Sequence, residues 1–249
     1  MRGHLLAVAL CVGLAACATT PAPDEETNPD PLEPMNRVVF DFNTAVDRAL
    51  LEPTARAYRT VLPAFVRDRI RAFMDNLAEP RIFVNDMLQG RGEAAGITFA
   101  RFVINTTAGL GGLFDQATPA NLARQSGDFG QTLYAWGVPD GPYLVLPIFG
   151  PSDVRDAIGM GVDGYTTPPS HTLGGEDAGT IQLGMTVVDG IDQRARNIEV
   201  VEEIRKSALD VYTHFRSLWR QHRLTQLREA RGQRPVPEEL VDPESPQQK

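Results

Sequence analysis

The sequence predicts an all-α fold, and three observations carry that prediction. Segment after segment places apolar residues at three- and four-residue spacing. Proline or glycine cuts these segments short. No run shows the ten-residue apolar/polar alternation of a membrane β-strand.

The elements follow in order. Asp30-Pro31-Leu32-Glu33 supplies a cap, a first-turn proline and an acid at the third position, although Pro34 moves the expected start one turn on, with Glu33 as cap. Met35, Val38, Val39, Phe42, Val46, Ala49 and Leu50 then mark an apolar face, with Asn36, Arg37, Asp41, Asn43 and Asp47 between them, and Pro53 is expected to end the helix. Thr54 opens a short helix carrying Tyr58, Val61 and Leu62, which Pro63 limits. A helix over about Ala64–Leu77 carries Val66, Ile70, Phe73, Met74 and Leu77 on one face. Glu79-Pro80 starts another that stops at Gly90, with Ile82, Phe83, Met87 and Leu88 on its apolar side. Glu93 to Thr107 forms the next, carrying Ile97, Phe99, Phe102, Val103 and Ile104.

Gly109-Leu-Gly-Gly-Leu-Phe-Asp115 breaks the pattern, being greasy and flexible at once. It lacks the Lys-Ser/Thr and the strand-turn-helix setting of a phosphate loop. Gly109, Gly111 and Gly112 therefore read as close-packing glycines, or as backbone lying against lipid. Asp128 to Gly150 is aromatic and turn-rich, with Pro139-Asp140-Gly141 a strong turn signal; Tyr143 to Leu146 forms either a short strand or a buried loop. Tyr134, Trp136 and Tyr143 suit a bilayer interface, where amphipathic rings settle. Pro151 to Asp163 holds a capped helix, and Thr166 to Ser170 a loop. Glu176 to Arg196 is helical through Ile181, Met185, Val188, Ile191 and Ala195. Ile198 to about Ala230 is the longest candidate, ending in a basic stretch. Beyond Gly232 the Pro- and Glu-rich tail reads as disordered.

The N-terminus has its own logic. One basic residue, a short apolar run from Leu5 to Ala16 and the ending Leu14-Ala-Ala-Cys17 make a secretory signal over residues 1–16, too short to span a bilayer. The ending resembles the bacterial lipobox, which implies a cut before Cys17 and its acylation, palmitate included; the alternative is an ordinary secretory signal. Residues 17–29 would then be the lipidated cysteine and a flexible tether, 30–231 the helical domain and 232–249 the tail. Multiple acyl chains anchor stably where one does not. Ala18 after the cysteine resembles outer-membrane-directed lipoproteins.

Composition removes several function classes. The formal charge of -8 becomes -9 when Arg2 leaves with the signal, so phosphate backbones offer no attraction and nucleic acid is not a partner. Cys11 and Cys17 are the two cysteines, so a mature disulfide lacks a second sulfur. No later window reaches 18 uninterrupted apolar residues. His171, His214 and His222 have no metal-site spacing, and no Gly-x-Ser-x-Gly elbow exists. Asp153 and Asp156 beside Arg155 read as a solvated helix face. No catalytic residue, metal or cofactor is therefore expected.

Asp30-Pro-Leu-Glu-Pro-Met-Asn-Arg, Phe40-Asp-Phe-Asn, Asn76-Leu-Ala-Glu-Pro, Val84-Asn-Asp-Met-Leu-Gln-Gly and Arg101-Phe-Val-Ile-Asn-Thr occur in order, followed by Gly109–Asp115, Phe129-Gly-Gln-Thr-Leu, Trp136-Gly-Val and Gly141-Pro-Tyr. Together they resemble the MlaA (VacJ) family over about residues 30–223. Near the last helix the family's Asp-Pro-Tyr reads Asp210-Val-Tyr here. The resemblance implies a ring of short amphipathic helices around a central channel, embedded in one leaflet of the bacterial outer membrane on its periplasmic side and associated with a trimeric porin. Misplaced phospholipid would pass from the outer leaflet to a soluble, MlaC-like periplasmic carrier. Phe129, Tyr134, Trp136, Tyr143 and Phe149 would border or gate that channel. The competing classes are a porin-associated adaptor that moves no lipid and, more remotely, a lipid-degrading enzyme.

Overall fold

The computed structural model describes residues 30–166 and 178–232. Residues 1–29, including Cys17 and the tether, lie outside the described residues, as do His171, Glu176 and the tail beyond Gly232. The fold is mostly helical, with one two-stranded hairpin. Among the described residues no helix is long and apolar enough to cross a membrane.

Helix α1 runs Glu33–Val46 and takes Pro34 in its first turn. The expected delay does not occur, because a first-turn proline lacks only an N–H that has no intrahelical partner. Asp30 organises this start: its Oδ1 accepts from the Leu32 N–H at 3.2 Å and from Asn36 Nδ2 at 2.9 Å. Pro53 does not end the helix either. A π turn over Asp47–Leu51 joins α1 to α2 (Glu52–Val61). The Glu52 N–H reaches the Asp47 carbonyl, five residues back, and the widened turn sets Pro53 into the first turn of α2. Thr54, expected as a cap, instead donates to the Leu50 carbonyl at 2.7 Å.

Helix α3 is continuous over Ala64–Leu88 with Pro80 inside it, where the sequence suggested two helices. An internal proline costs about 3 kcal/mol. Both halves are held against α4 (Gly92–Thr107): Arg101 Nε donates to Glu79 Oε1 at 2.9 Å, and Thr98 Oγ1 donates to Asp86 Oδ2 at 2.9 Å. Tertiary contact on each side of the proline overrides the local break.

After α4, the N–H groups of Gly111 and Gly112 close on the carbonyls of Thr106 (2.9 Å) and Asn105 (2.8 Å), satisfying groups the helix end leaves open. Helix α5 (Phe129–Ala135) is capped by Asp128, whose Oδ1 accepts from the Gln131 N–H at 2.8 Å. Strands β1 (Tyr143–Leu146) and β2 (Gly150–Asp153) pair antiparallel, Tyr143 opposite Asp153 and Leu146 opposite Gly150. Helices α6 (Val154–Thr166), α7 (Ala178–Arg196), α8 (Ile198–Ser207) and α9 (Val211–Ala230) follow. The single long helix expected from Ile198 breaks because Ala208 is extended and Asp210 caps a new start, accepting from the Thr213 N–H at 3.2 Å. Val211 thereby occupies the first helical position, the one that tolerates proline.

Apolar packing is confined to small clusters. Ala55, Ala195 and Ile198 meet beside Tyr58, and Tyr143, Val145 and Tyr212 meet among Val39, Phe40 and Trp219.

Candidate functional site

Among the described residues much of the interior is polar, and many large apolar side chains lie outside. Arg101 and Arg155 are the bulkiest fully buried side chains among the described residues, followed by Leu227, Gln131, Glu79 and Asn36. Met35, Val38, Phe42 and Leu50 of the α1–α2 segment, Phe65 and Met87 of α3, Phe99 of α4 and Leu183 of α7 are exposed instead. On these helices many of the apolar residues marked by periodicity point outward. A chain surrounded by water buries these residue types in the opposite order.

Each buried charge is tied into a network. Around Glu79 and Arg101, the arginine also meets Thr118 Oγ1 at 3.1 Å, while Asp115 accepts from Asn105 and Thr118 and is held at about 2 by those bonds and by Arg101 against the opposing effect of burial. Burial pushes the Glu79 and Asp86 carboxyls up. Between α1–α2 and α7–α8, Arg194 and Arg205 both clasp Asp47 and Glu52, at 2.7–3.1 Å.

The hairpin is fixed on two sides. Asn36 and Asn43, two turns apart on one face of α1, grip its free edge. Asn36 donates to the Tyr143 carbonyl at 3.0 Å and accepts from the Val145 N–H at 2.9 Å. Asn43 donates to the Leu146 carbonyl at 2.9 Å and accepts from the Ile148 N–H at 2.7 Å. Ile148 has φ +71°, a left-handed conformation that a β-branched residue rarely adopts, and the Asn43 contacts hold it there. At the other end Arg155 donates to Asp140, Asp153 and Asp156. Arg223 of α9 reaches Asp156 Oδ2 at 2.5 Å and Asp128 Oδ2 at 2.6 Å, linking α9 to α6 and to the cap of α5.

Asp153 and Asp156 are thus buried, not the solvated face expected from their spacing. Burial, and then the neighbouring Asp156 carboxylate, push Asp153 up to about 7. The adjoining cavity holds about 40 Å³, room for about one water, so this carboxyl faces no substrate-sized space.

The aromatic residues singled out from the sequence do not converge on one point. Phe129 and Trp136 meet edge to face at 6.0 Å, and Trp136 Nε1 donates to the Leu88 carbonyl at 3.0 Å. Tyr134 carries Arg231 over its ring at 3.8 Å. Phe149 is exposed beside the hairpin turn, whereas Tyr143 is only 5% exposed and packs on Trp219 and Tyr212. Of the three glycines, Gly109 and Gly112 lie where a Cβ would collide, against Phe114 and Asn105 for the first and at 2.5 Å from Asn76 Cβ for the second; Gly111 has open space and φ +74°. Sequence reasoning missed Gly130 and Gly159, where α5 and α6 touch backbone to backbone. It also missed the Asn36/Asn43 pair, although seven-residue spacing on one helix was a readable signal.

With this geometry in hand, comparisons place the chain. Residues 28–226 match the family model of the MlaA lipoprotein. The intermembrane phospholipid transport system lipoprotein MlaA of Haemophilus influenzae is 35% identical over 225 residues, covering 88% of this chain and 87% of that protein. The Escherichia coli protein of the same name is 33% identical over 223 residues, covering 88% and 86%. A solved structure described as the structural basis for maintenance of bacterial outer membrane lipid asymmetry matches with TM-score 0.69 at 36% identity, over 78% of this chain and 97% of that one. From its first capped helix to the basic helix α9, the chain belongs to the MlaA lipoprotein family.

Proposed function

We propose that this protein sits in the periplasmic leaflet of a bacterial outer membrane and passes mislocalised phospholipid inward to a soluble carrier. The observation that carries the reading is the reversed polarity: apolar side chains face out on α1, α3, α4 and α7, while arginine, carboxylate and amide groups face in. An apolar exterior suits acyl chains as solvent, and helices satisfy their own backbone groups there. A polar interior gives a headgroup somewhere to go. In this reading the helices form a ring about a channel, the segment from Phe129 to Phe149 borders it, acylated Cys17 fixes one edge to the leaflet, and a trimeric porin flanks the ring. No bond is broken, so no side chain needs to act as acid, base or nucleophile.

In cells lacking their own family member, this chain should lower outer-leaflet phospholipid and restore detergent resistance. Normal porin association with unchanged outer-leaflet phospholipid would favour the adaptor reading instead. Cys17→Ala should leave the protein unacylated and absent from outer-membrane fractions; recovery there in normal amount would defeat the anchor. A disulfide from Asn43→Cys with Ile148→Cys would tie the hairpin turn to α1. Full activity of the oxidised form would exclude hairpin movement from the cycle.

A further inference from the structure

Between the start of α3 and the glycine turn after α4 lies a groove of about 280 Å³, lined by Asp68, Arg69, Arg71, Asp75, Phe114 and Asp115 among others. Its charges are not equally occupied. Asp75 is paired with Arg124 at 2.5 Å, and Asp115 is bonded to Asn105 and Thr118. Arg69 forms no such pair: its guanidinium carbon lies 4.4 Å from the Phe114 ring centroid and 5.0 Å from that of Phe65, and its buried Nε has no hydrogen-bond partner. Arg71 Nε is likewise without one, standing 3.8 Å from Asp192. Asp68, on the rim, is more than half exposed and meets its nearest cation, Arg71, at 4.0 Å. Phe65, its ring 6.5 Å from that of Phe114, extends the rim as an exposed apolar side chain.

We propose that this groove binds the headgroup of a zwitterionic phospholipid, its phosphate on Arg69 and Arg71 and its ammonium on Asp68. The argument is one of unmet bonding. A buried guanidinium N–H without an acceptor is costly, and the planar Arg69 guanidinium, stacked on Phe65 and Phe114, is already arranged for a phosphate oxygen. The spare acid beside them suits a positive charge a few ångströms from that phosphate, and the apolar rim suits the first acyl carbons. The proposal rests on the phospholipid-passing reading above and assigns it a contact point.

The test uses the full chain in nonionic detergent with spin-labelled phosphatidylethanolamine and, separately, spin-labelled phosphatidylglycerol, which has the phosphate but no ammonium. Wild type should hold phosphatidylethanolamine the more tightly. Arg69→Gln and Arg71→Gln should each weaken both lipids about tenfold, the loss of one charge-assisted contact. Arg69→Lys, which keeps the charge without the planar fork, should fall between. Asp68→Asn should erase the preference between lipids and leave phosphatidylglycerol binding as it was. Arg48→Gln, an exposed arginine on the π turn, is the charge-matched control and should change nothing. Thermal melts of every variant separate loss of contact from loss of fold.

Unchanged binding in folded Arg69→Gln and Arg71→Gln overturns the groove and spares the transport reading. If wild type retains neither lipid, both fall. If free O-phosphoethanolamine binds as tightly as the lipid, the groove takes a soluble phosphate ester and the lipid assignment is wrong.

Discussion

Asn36 serves Val145 as a neighbouring strand would, accepting its N–H at 2.9 Å while donating to the Tyr143 carbonyl on the same edge. A helix side chain thereby closes a sheet edge that would otherwise stay open. Asn36→Ala leaves two backbone groups without partners and should lower unfolding stability by about 2–4 kcal/mol in detergent. Asn36→Asp would set a second carboxylate against Asp30 and the Tyr143 carbonyl in a fully buried place, so denaturant titration should show it at least as unstable as Asn36→Ala.

The Glu79–Arg101 pair is the deepest charge contact, both side chains being at most 2% exposed. Removing one partner strands the other, so Glu79→Leu or Arg101→Met alone should destabilise by about 3–5 kcal/mol. Replacing both together, Glu79→Leu with Arg101→Met, should cost less than the sum of the single changes, because neither charge is left alone. A double-mutant cycle that came out additive would show the two residues to be energetically independent.

A Cβ at position 159 would stand 2.7 Å from the Gly130 Cα, against backbone that cannot swing aside. Gly159→Ala should push α5 and α6 apart and lose about 1–3 kcal/mol. Gly161→Ala, two residues on with nothing within 4 Å, should match wild type in the same melt.

Asp153 gives a pH signature of known sign. Its folded carboxyl titrates near 7, above the unfolded value of about 4. Its contribution to stability is therefore complete below pH 4 and lost as pH rises through 7. Asp153→Asn removes this titration and retains an oxygen to accept the Asp156 N–H, which Asp153 Oδ1 now accepts at 2.7 Å. Between pH 5 and pH 8, wild type should lose on the order of 2 kcal/mol relative to the variant. Parallel stability curves for the two proteins would show that Asp153 does not hold its proton.

The helices were legible in the sequence because 3.6-residue periodicity is a local property; their ends and orientation were not. Pro53 and Pro80 read as breaks, yet a π turn absorbs the first and contacts on both sides retain the second. Asp210 read as one more polar residue of a long helix, although Asp-x-x-Thr213 is itself a capping pattern. Periodicity finds two faces without saying which one looks inward; Met35, Val38 and Phe42, on the apolar face, lie exposed. At the candidate site the aromatic stretch stood out, but of its aromatic rings only Tyr143 is buried. The residues that fasten it, Asn36, Asn43 and Arg223, lie over 100 positions before the hairpin or about 70 after it, beyond any local pattern.

The reversed polarity also bears on which solvent suits the folded chain. A protein with this exterior is costly in open water, because it presents Phe42, Phe65 and Phe149 to solvent. Under the proposed function acyl chains would cover those rings, so the exterior that is costly in water becomes the one that fits.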